Sequence, residues 1–172
     1  MTTPSSPLEQ IVAQRLASRR ERIELDEPMI KVVIVALADQ HFAFPGEGIR
    51  EILARARVFF VPGCPPSMEG VVNVRGDIET VIRLQTLLRL PESEPGPASA
   101  ILIARGNGVV SGLRVDRVLD VLDVPRSSIL PVPATFPTRW STLALGVIHR
   151  EEQPVTLLNL DALLGDYARG LE

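Results

Sequence analysis

Disulfides are out of reach of this chain, because Cys64 is its only cysteine and one thiol cannot close an intrachain bridge. Histidines are nearly as scarce. His41 and His149 are the two present, and neither has a second histidine, a cysteine or a carboxylate at ligand spacing, so no metal centre is expected. The longest apolar stretches, such as Val32 to Ala38, fall far short of the roughly 20 residues a membrane helix needs. Direct membrane insertion is therefore not expected. No charged segment followed by an apolar one opens the sequence, which with the lone thiol makes a cytoplasmic location the expectation. Cationic surplus is missing too: 21 carboxylates outnumber 18 basic groups, for a net charge of −3. A nucleic-acid partner is not expected, since such proteins need a dense basic face to displace counterions. Neither G-x-x-x-x-G-K-[ST] nor G-x-G-x-x-G occurs, which removes the usual phosphate cradles and leaves no cofactor implied.

What is present is punctuation. Fifteen prolines and twelve glycines in 172 residues mostly separate short apolar runs, the pattern of strands and turns. A chain of this length buries roughly 70% of its unfolded surface and forms one domain or two very small ones.

Residues 1–29 differ from the rest. Ser6-Pro7-Leu8-Glu9 has the layout of a capping box, with Ser6 as N-cap, Pro7 at the first helical position and Glu9 three residues past the cap. The helix it opens carries Leu8, Val12 and Leu16 at i, i+4 and i+8, with Ile11 beside them and Ile23 later, while Arg15 and Arg19 interrupt that side. This narrow face predicts an amphipathic helix docked on the domain with its arginines snorkelling. A partner-binding helix and a membrane-surface helix are the alternatives. Leu25 to Pro28 reads as a linker, and residues 30–168 as the main body.

From Lys31 the period shortens to runs of four to eight residues rich in Val and Ile. Strands are expected at Lys31 to Leu37, His41 to Phe44, Gly70 to Val74, Ile78 to Ile82, Ala100 to Arg105, Val109 to Val115, Leu145 to His149 and Val155 to Leu158. Less regular extended pieces are expected at Ile49 to Leu53, Val58 to Val61 and Val118 to Val124. Asn107-Gly108 signals a tight hairpin with positive φ at both central residues. Two short helices carry Leu84, Leu87 and Leu88, and Leu160, Leu163, Leu164 and Tyr167.

The chain also repeats itself. Gly70-Val71-Val72 matches Gly146-Val147-Ile148, and Val81 to Leu88 matches Leu157 to Leu164, both at a spacing of 76. Upstream, Ile49, Glu51, Ile52, Leu53 and Pro62 match Val118, Asp120, Val121, Leu122 and Pro131 at a spacing of 69. The extra seven residues fall in the loop containing Phe136 to Thr142. The body thus predicts two copies of a unit of about five short strands and a helix. Five such strands avoid exposed edges by closing into a small barrel, so an all-β architecture of two tandem barrels is expected, with a groove between them.

Chemistry is sparse. Cys64 sits in the turn Pro62-Gly63-Cys64-Pro65-Pro66 with no base nearby in sequence, which argues against a nucleophilic thiolate there; a thiol or hydrolytic enzyme using Cys64 or His41 is the alternative from another class. Glu51, Asp116 and Asp120 could pair for acid–base work, as carboxylates in any chain of this length could. Trp140 and Phe136 serve either as a lid on the core or as interaction anchors. Arg75-Gly76 marks a hairpin turn from which the arginine projects.

In order and spacing, Phe42-Ala43-Phe44-Pro45, Ile49 to Leu53, Val61-Pro62-Gly63 with Pro65-Pro66, Gly70 to Gly76, Gly112 to Val118 and Leu158 to Leu164 resemble the CheW family of chemotaxis coupling proteins. That resemblance spans about 135 residues, nearly everything after the N-terminal extension. It implies two SH3-like five-stranded barrels and a non-enzymatic adaptor. The partners implied are the regulatory domain of a CheA-type histidine kinase and the cytoplasmic tip of methyl-accepting chemoreceptors. The receptor-contacting positions carried over are Ile49, Glu51, Gly70 and Arg75, an apolar contact, an acid, a point of close approach and a turn arginine. Where the family continues past Arg75-Gly76 with apolar residues, a proline and then an aspartate, this chain has Glu79, Thr80 and Arg83. Those changes point to a retuned interface, as in an array controlling surface motility or gene expression, or to a regulatory module that takes one of the two partners.

Overall fold

A computed structural model describes residues 6–170, with no side-chain description for 17–26. Helix α1 (Pro7–Asp26) is followed by β1 (Met29–Leu37), β2 (Gln40–Pro45), β3 (Ile49–Leu53), β4 (Met68–Val74), β5 (Asp77–Arg83) and the single turn α2 (Leu84–Leu87). The second half runs β6 (Ala100–Gly106), β7 (Val109–Val115), β8 (Arg117–Pro125), α3 (Thr138–Leu143), β9 (Ala144–Arg150), β10 (Gln153–Leu158) and α4 (Leu160–Arg169). Two five-stranded sheets result, in the orders β8-β1-β2-β10-β9 and β3-β6-β7-β5-β4.

Both orders are the same once β6 to β10 are matched to β1 to β5, so the duplication seen in the sequence is structural. The two units are interleaved, however, and not consecutive. Each sheet takes its β1–β2 or β6–β7 hairpin from the opposite half of the chain. Register repeats as well: Ile101 faces Leu53 as Val32 faces Leu122, and a bulge falls between Ile49 and Glu51 as it does between the partners of Ile34 and Val35. A spacing of 69 therefore relates β6–β8 to β1–β3, and 76 relates β9–β10 to β4–β5.

Closure follows the same symmetry. The chain leaving β3 returns to the far edge of its sheet, where Phe59 and Val71 exchange backbone hydrogen bonds of 2.8 and 2.9 Å. Leu130 and Val147 do the same in the other unit, both at 2.8 Å. Val58 to Val61 thus contributes one bridge in place of the extended piece expected there. Gly70 and Gly146 sit beneath these bridges: a Cβ on Gly146 would lie 2.6 Å from the Leu130 oxygen, and one on Gly70 2.9 Å from the Phe59 carbonyl carbon. Only a missing side chain lets the closing segment approach.

Continuous apolar strands reflect three cores. Along β1, Val32 and Ile34 face the interior of one barrel while Val33, Val35 and Leu37 face a shared core between the barrels. Along β6, Ile101 and Ile103 fill the second barrel, and Ala100, Leu102 and Ala104 face the shared core. Helix α2 with its C-cap Leu88, and helix α4, add Leu84, Leu88, Leu160, Leu163, Leu164 and Tyr167 to that core. It is much the largest of the three, so the barrels are expected to unfold together.

Asn159 and Arg83 occupy matching N-caps with opposite results. Asn159 Oδ1 accepts from the Ala162 N–H at 3.2 Å and α4 runs ten residues, whereas Arg83 makes no side-chain cap and α2 lasts four. Asn159→Ala is expected to lower stability by about 1 kcal/mol and Arg83→Asn to raise it by up to about 1 kcal/mol, read as shifts in urea midpoint.

Two expectations change. The loop expected at Phe136 to Thr142 folds from Thr138 onward as α3, and Trp140 with the preceding Phe136 forms a lid: Trp140 meets Phe42 edge-on at 5.3 Å and Phe136 at 6.2 Å, and its indole N–H donates to Leu88 O at 3.0 Å. Arg139 donates to Leu87 O at 2.8 Å and pairs with Asp166 at 2.5 Å, so α3 straps α2 to α4. The Arg139 hydrogen bond holds the Asp166 carboxyl below the ordinary aspartate value. A value lowered in the folded state stabilises fully at neutral pH and ceases to do so as the pH falls through the carboxylate range. Asp166→Asn is thus expected to cost about 1 kcal/mol at neutral pH and almost nothing in strong acid, measured as melting temperature against pH.

The second change concerns α1. Its capping box is present, with Ser6 N–H donating to Glu9 Oε2 at 3.1 Å and Glu9 N–H to Ser6 Oγ at 3.4 Å. Among the described side chains the expected docking is not: Leu8, Ile11, Val12 and Leu16 are all more than half exposed, while Arg19 and Ile23 lie outside the described side chains. Arginine within the stripe leaves too little continuous apolar surface to hold the helix down.

Candidate functional site

Closing the second barrel brings β3, at one edge of its sheet, against the β4–β5 turn at the other. That places Glu51 and Arg75, 24 residues apart in sequence, within one ion pair, Arg75 Nη2 donating to Glu51 Oε1 at 3.1 Å. The turn is held from within. Asn73 Oδ1 accepts from the Gly76 N–H at 2.9 Å, and Arg75 and Gly76 both adopt positive φ, 53° and 93°, the tight-hairpin geometry that aims the arginine outward. Its side chain is 83% exposed and that of Glu51 29%. An exposed pair of this kind contributes at most about 1 kcal/mol to folding, so it presents a guanidinium far more than it braces the barrel.

Around the pair lies a cleft of about 160 Å³ lined by Arg50, Glu51, Val74, Arg75, Asp77, Glu79 and Ile103. Three carboxylates against two guanidiniums leave it slightly acidic. Of the four positions singled out from the sequence, the structure joins Glu51 and Arg75 here. Ile49 is half-buried against the shared core, outside this lining. Gly70 is buried beneath the Phe59 bridge, where its lack of a side chain serves barrel closure. Sequence reasoning passed over Arg50, Val74, Asp77 and Ile103. Asp77 and Glu79 alternate along β5, so period two would have put both on the face reached by Arg75. Arg50 is the bulge residue of β3, a position only pairing reveals.

The first barrel holds a related pair. Asp120, which matches Glu51, accepts from Arg150 Nη2 at 3.4 Å, and Arg150 stands one residue before the position that matches Arg75.

Cys64 is half-buried and directs its Sγ at Met68 O, 3.5 Å away at the start of β4. His41 is half-buried in β2 opposite Ala36. Among the described residues no three His, Cys, Asp or Glu side chains are grouped to hold a metal ion, and no helix is long and apolar enough to cross a membrane.

Known proteins resemble this chain over most of its length. Chemotaxis protein CheW of Helicobacter pylori is 26% identical over 151 residues, 88% of this chain and 91% of its own length. Chemotaxis protein CheW of Thermotoga maritima is 31% identical over 134 residues, 78% of this chain and 87% of its own. Among solved structures, the scaffolding protein TtCheW from Thermoanaerobacter tengcongensis superposes with a TM-score of 0.71 at 25% identity, covering 79% of this chain and 92% of that one. The CheW-like domain model matches residues 31–168, and with the repeated barrels and their order of motifs this shows that the chain belongs to the CheW-like domain family.

Proposed function

We propose that this chain is a non-enzymatic, cytoplasmic coupling adaptor that joins the helical tip of a chemoreceptor to the regulatory domain of a CheA-type histidine kinase. The observation that carries this reading is the Arg75–Glu51 pair at the mouth of a cleft, in a family whose members are chemotaxis scaffolds. A helical hairpin offers backbone-satisfied helices with polar and apolar rows, and the cleft meets it with a projecting guanidinium, flanking carboxylates and the half-buried Val74, packed over the buried Ile103. Charged hydrogen bonds there set register, and apolar contact supplies affinity. Phe60 and Ile78, 72% and 64% exposed, give the same barrel apolar surface for a second protein. Cys64 and His41 take no part, so Cys64→Ala and His41→Ala are expected to leave coupling intact.

Arg75→Glu is expected to weaken binding of a receptor-tip fragment by about 2 kcal/mol, roughly 30-fold in Kd, with folding changed by less than about 1 kcal/mol. Calorimetric titration checks it, and an unchanged Kd removes Arg75 from the interface. Glu79 favours a receptor other than the family's usual ones, since it adds a carboxylate to the lining. Such a cleft suits a tip with a complementary base, as in an array controlling surface motility or gene expression.

A further inference from the structure

Duplication gives the molecule two matching grooves between its barrels, and among the described residues a chain segment fills one of them. In the filled groove, Leu84, Gln85, Arg83, Glu69 and Arg114 surround residues 92–95 of the chain itself, leaving about 80 Å³. Gln85 fastens that segment, its Nε2 donating to Ser93 Oγ at 3.1 Å and its Oε1 accepting from the Ser93 N–H at 3.3 Å. Thr86 Oγ1 donates to Glu92 at 2.9 Å. The same positions in the other half, Leu160, Asp161, Asn159, Leu145 and Pro45, line a groove of about 510 Å³. Among the described residues no segment of this chain lies in it as 92–95 lies in the first. After α2 the chain breaks at Arg89, with φ of 55°, and turns back through Pro91, whereas positions 168 and 169, which match 92 and 93, are still inside α4.

Charge differs between the two grooves in a way that names the missing occupant. The filled groove carries Arg83 and Arg114 against Glu69, and the segment lying in it brings Glu92 and Glu94. Groove and occupant are opposite in sign. The open groove carries Glu47 and Asp161 against Arg105, so its sign is reversed. Its polar groups are already fixed, with Asp161 Oδ1 accepting from the Asn107 N–H at 2.6 Å, and its floor is the apolar Leu160 and Pro45.

We infer that the groove between Glu47, Arg105 and Asp161 docks a short, basic, non-helical peptide segment of a partner protein, the counterpart of the acidic segment 92–95 in the matching groove. Opposite charge gives the docked segment its register, and Leu145 and Leu160 give it apolar contact. The surface is separate from the Arg75 cleft, so it stands whether or not that cleft holds a receptor.

The test titrates the full chain with two dye-labelled hexapeptides followed by anisotropy, Pro-Glu-Ser-Glu-Pro-Gly, which copies residues 91–96, and its charge-reversed form Pro-Arg-Ser-Arg-Pro-Gly. The basic peptide is expected to saturate with a sub-millimolar Kd and the acidic one not to. Glu47→Gln with Asp161→Asn, which keeps both acceptors, is expected to weaken the basic peptide about tenfold, and Arg75→Glu to leave it unchanged. Amide resonances of Gly48, Asn107 and Asp161 should shift on binding. Failure of the basic peptide to saturate, equal binding of both peptides, or an unchanged Kd in the double variant overturns the inference.

Discussion

Gly70→Ala is expected to destabilise the protein by about 3 kcal/mol or more, because the added carbon meets backbone and the closing segment cannot yield without losing its bridge. A Cβ at this site lies 2.9 Å from the Phe59 carbonyl carbon and closer to the oxygen, and Phe59 makes both hydrogen bonds that shut the barrel. Gly146→Ala, with its Cβ 2.6 Å from Leu130 O, is expected to behave alike. Gly96→Ala serves as control. A Cβ there meets nothing within 4 Å, so its urea midpoint should stay within about 0.5 kcal/mol of the parent. Equal midpoints for Gly70→Ala and Gly96→Ala would show that closure is looser than described. The consequence reaches the site, since closure is what sets Glu51 beside Arg75. Loss of receptor binding in Gly70→Ala should therefore follow loss of fold and be recovered at lower temperature.

Trp140→Ala is expected to cost about 3 kcal/mol, through lost burial, the lost edge contact with Phe42 and a Leu88 carbonyl left without its donor. Trp140→Phe separates the parts. It keeps an aromatic lid and loses the indole donor, so about 1 kcal/mol is expected. Because α3 joins α2 and α4, the unfolding transition of Trp140→Ala should also broaden, which thermal melts followed by far- and near-ultraviolet circular dichroism would reveal. A sharp transition at the parent temperature would show that the strap is ornamental.

The strands were readable because Val- and Ile-rich runs between glycines and prolines leave few other solutions, and Ile49 to Leu53 and Val109 to Val115 match their observed ends. Which strands share a sheet was not readable. Two tandem barrels and two interleaved ones need the same local pattern, and only long-range pairing such as β1 with β8 distinguishes them. A helix at Thr138 to Leu143 was missed because its six residues are held by Pro137 O and by contact with α2 and α4 rather than by periodicity. Docking of α1 was inferred from apolar spacing alone, and spacing does not report whether a complementary surface exists. At the cleft, the projecting arginine was legible from the Arg75-Gly76 turn, and a receptor-contacting role for it and for Glu51 was carried over from the family resemblance, while Asp77 and Glu79 followed from alternation that was not applied across the turn. Gly70 illustrates the limit of carrying a role over by position: the sequence marks a glycine that matters, and the structure gives barrel closure as a sufficient reason.

Coupling is a claim about two partners held at once, so the decisive measurement is sedimentation of a receptor-tip fragment with a kinase regulatory domain, with and without this chain. The account predicts a complex containing all three proteins with the parent chain, and loss of the receptor fragment alone with Arg75→Glu. A receptor fragment and kinase domain that never sediment together in its presence would contradict it.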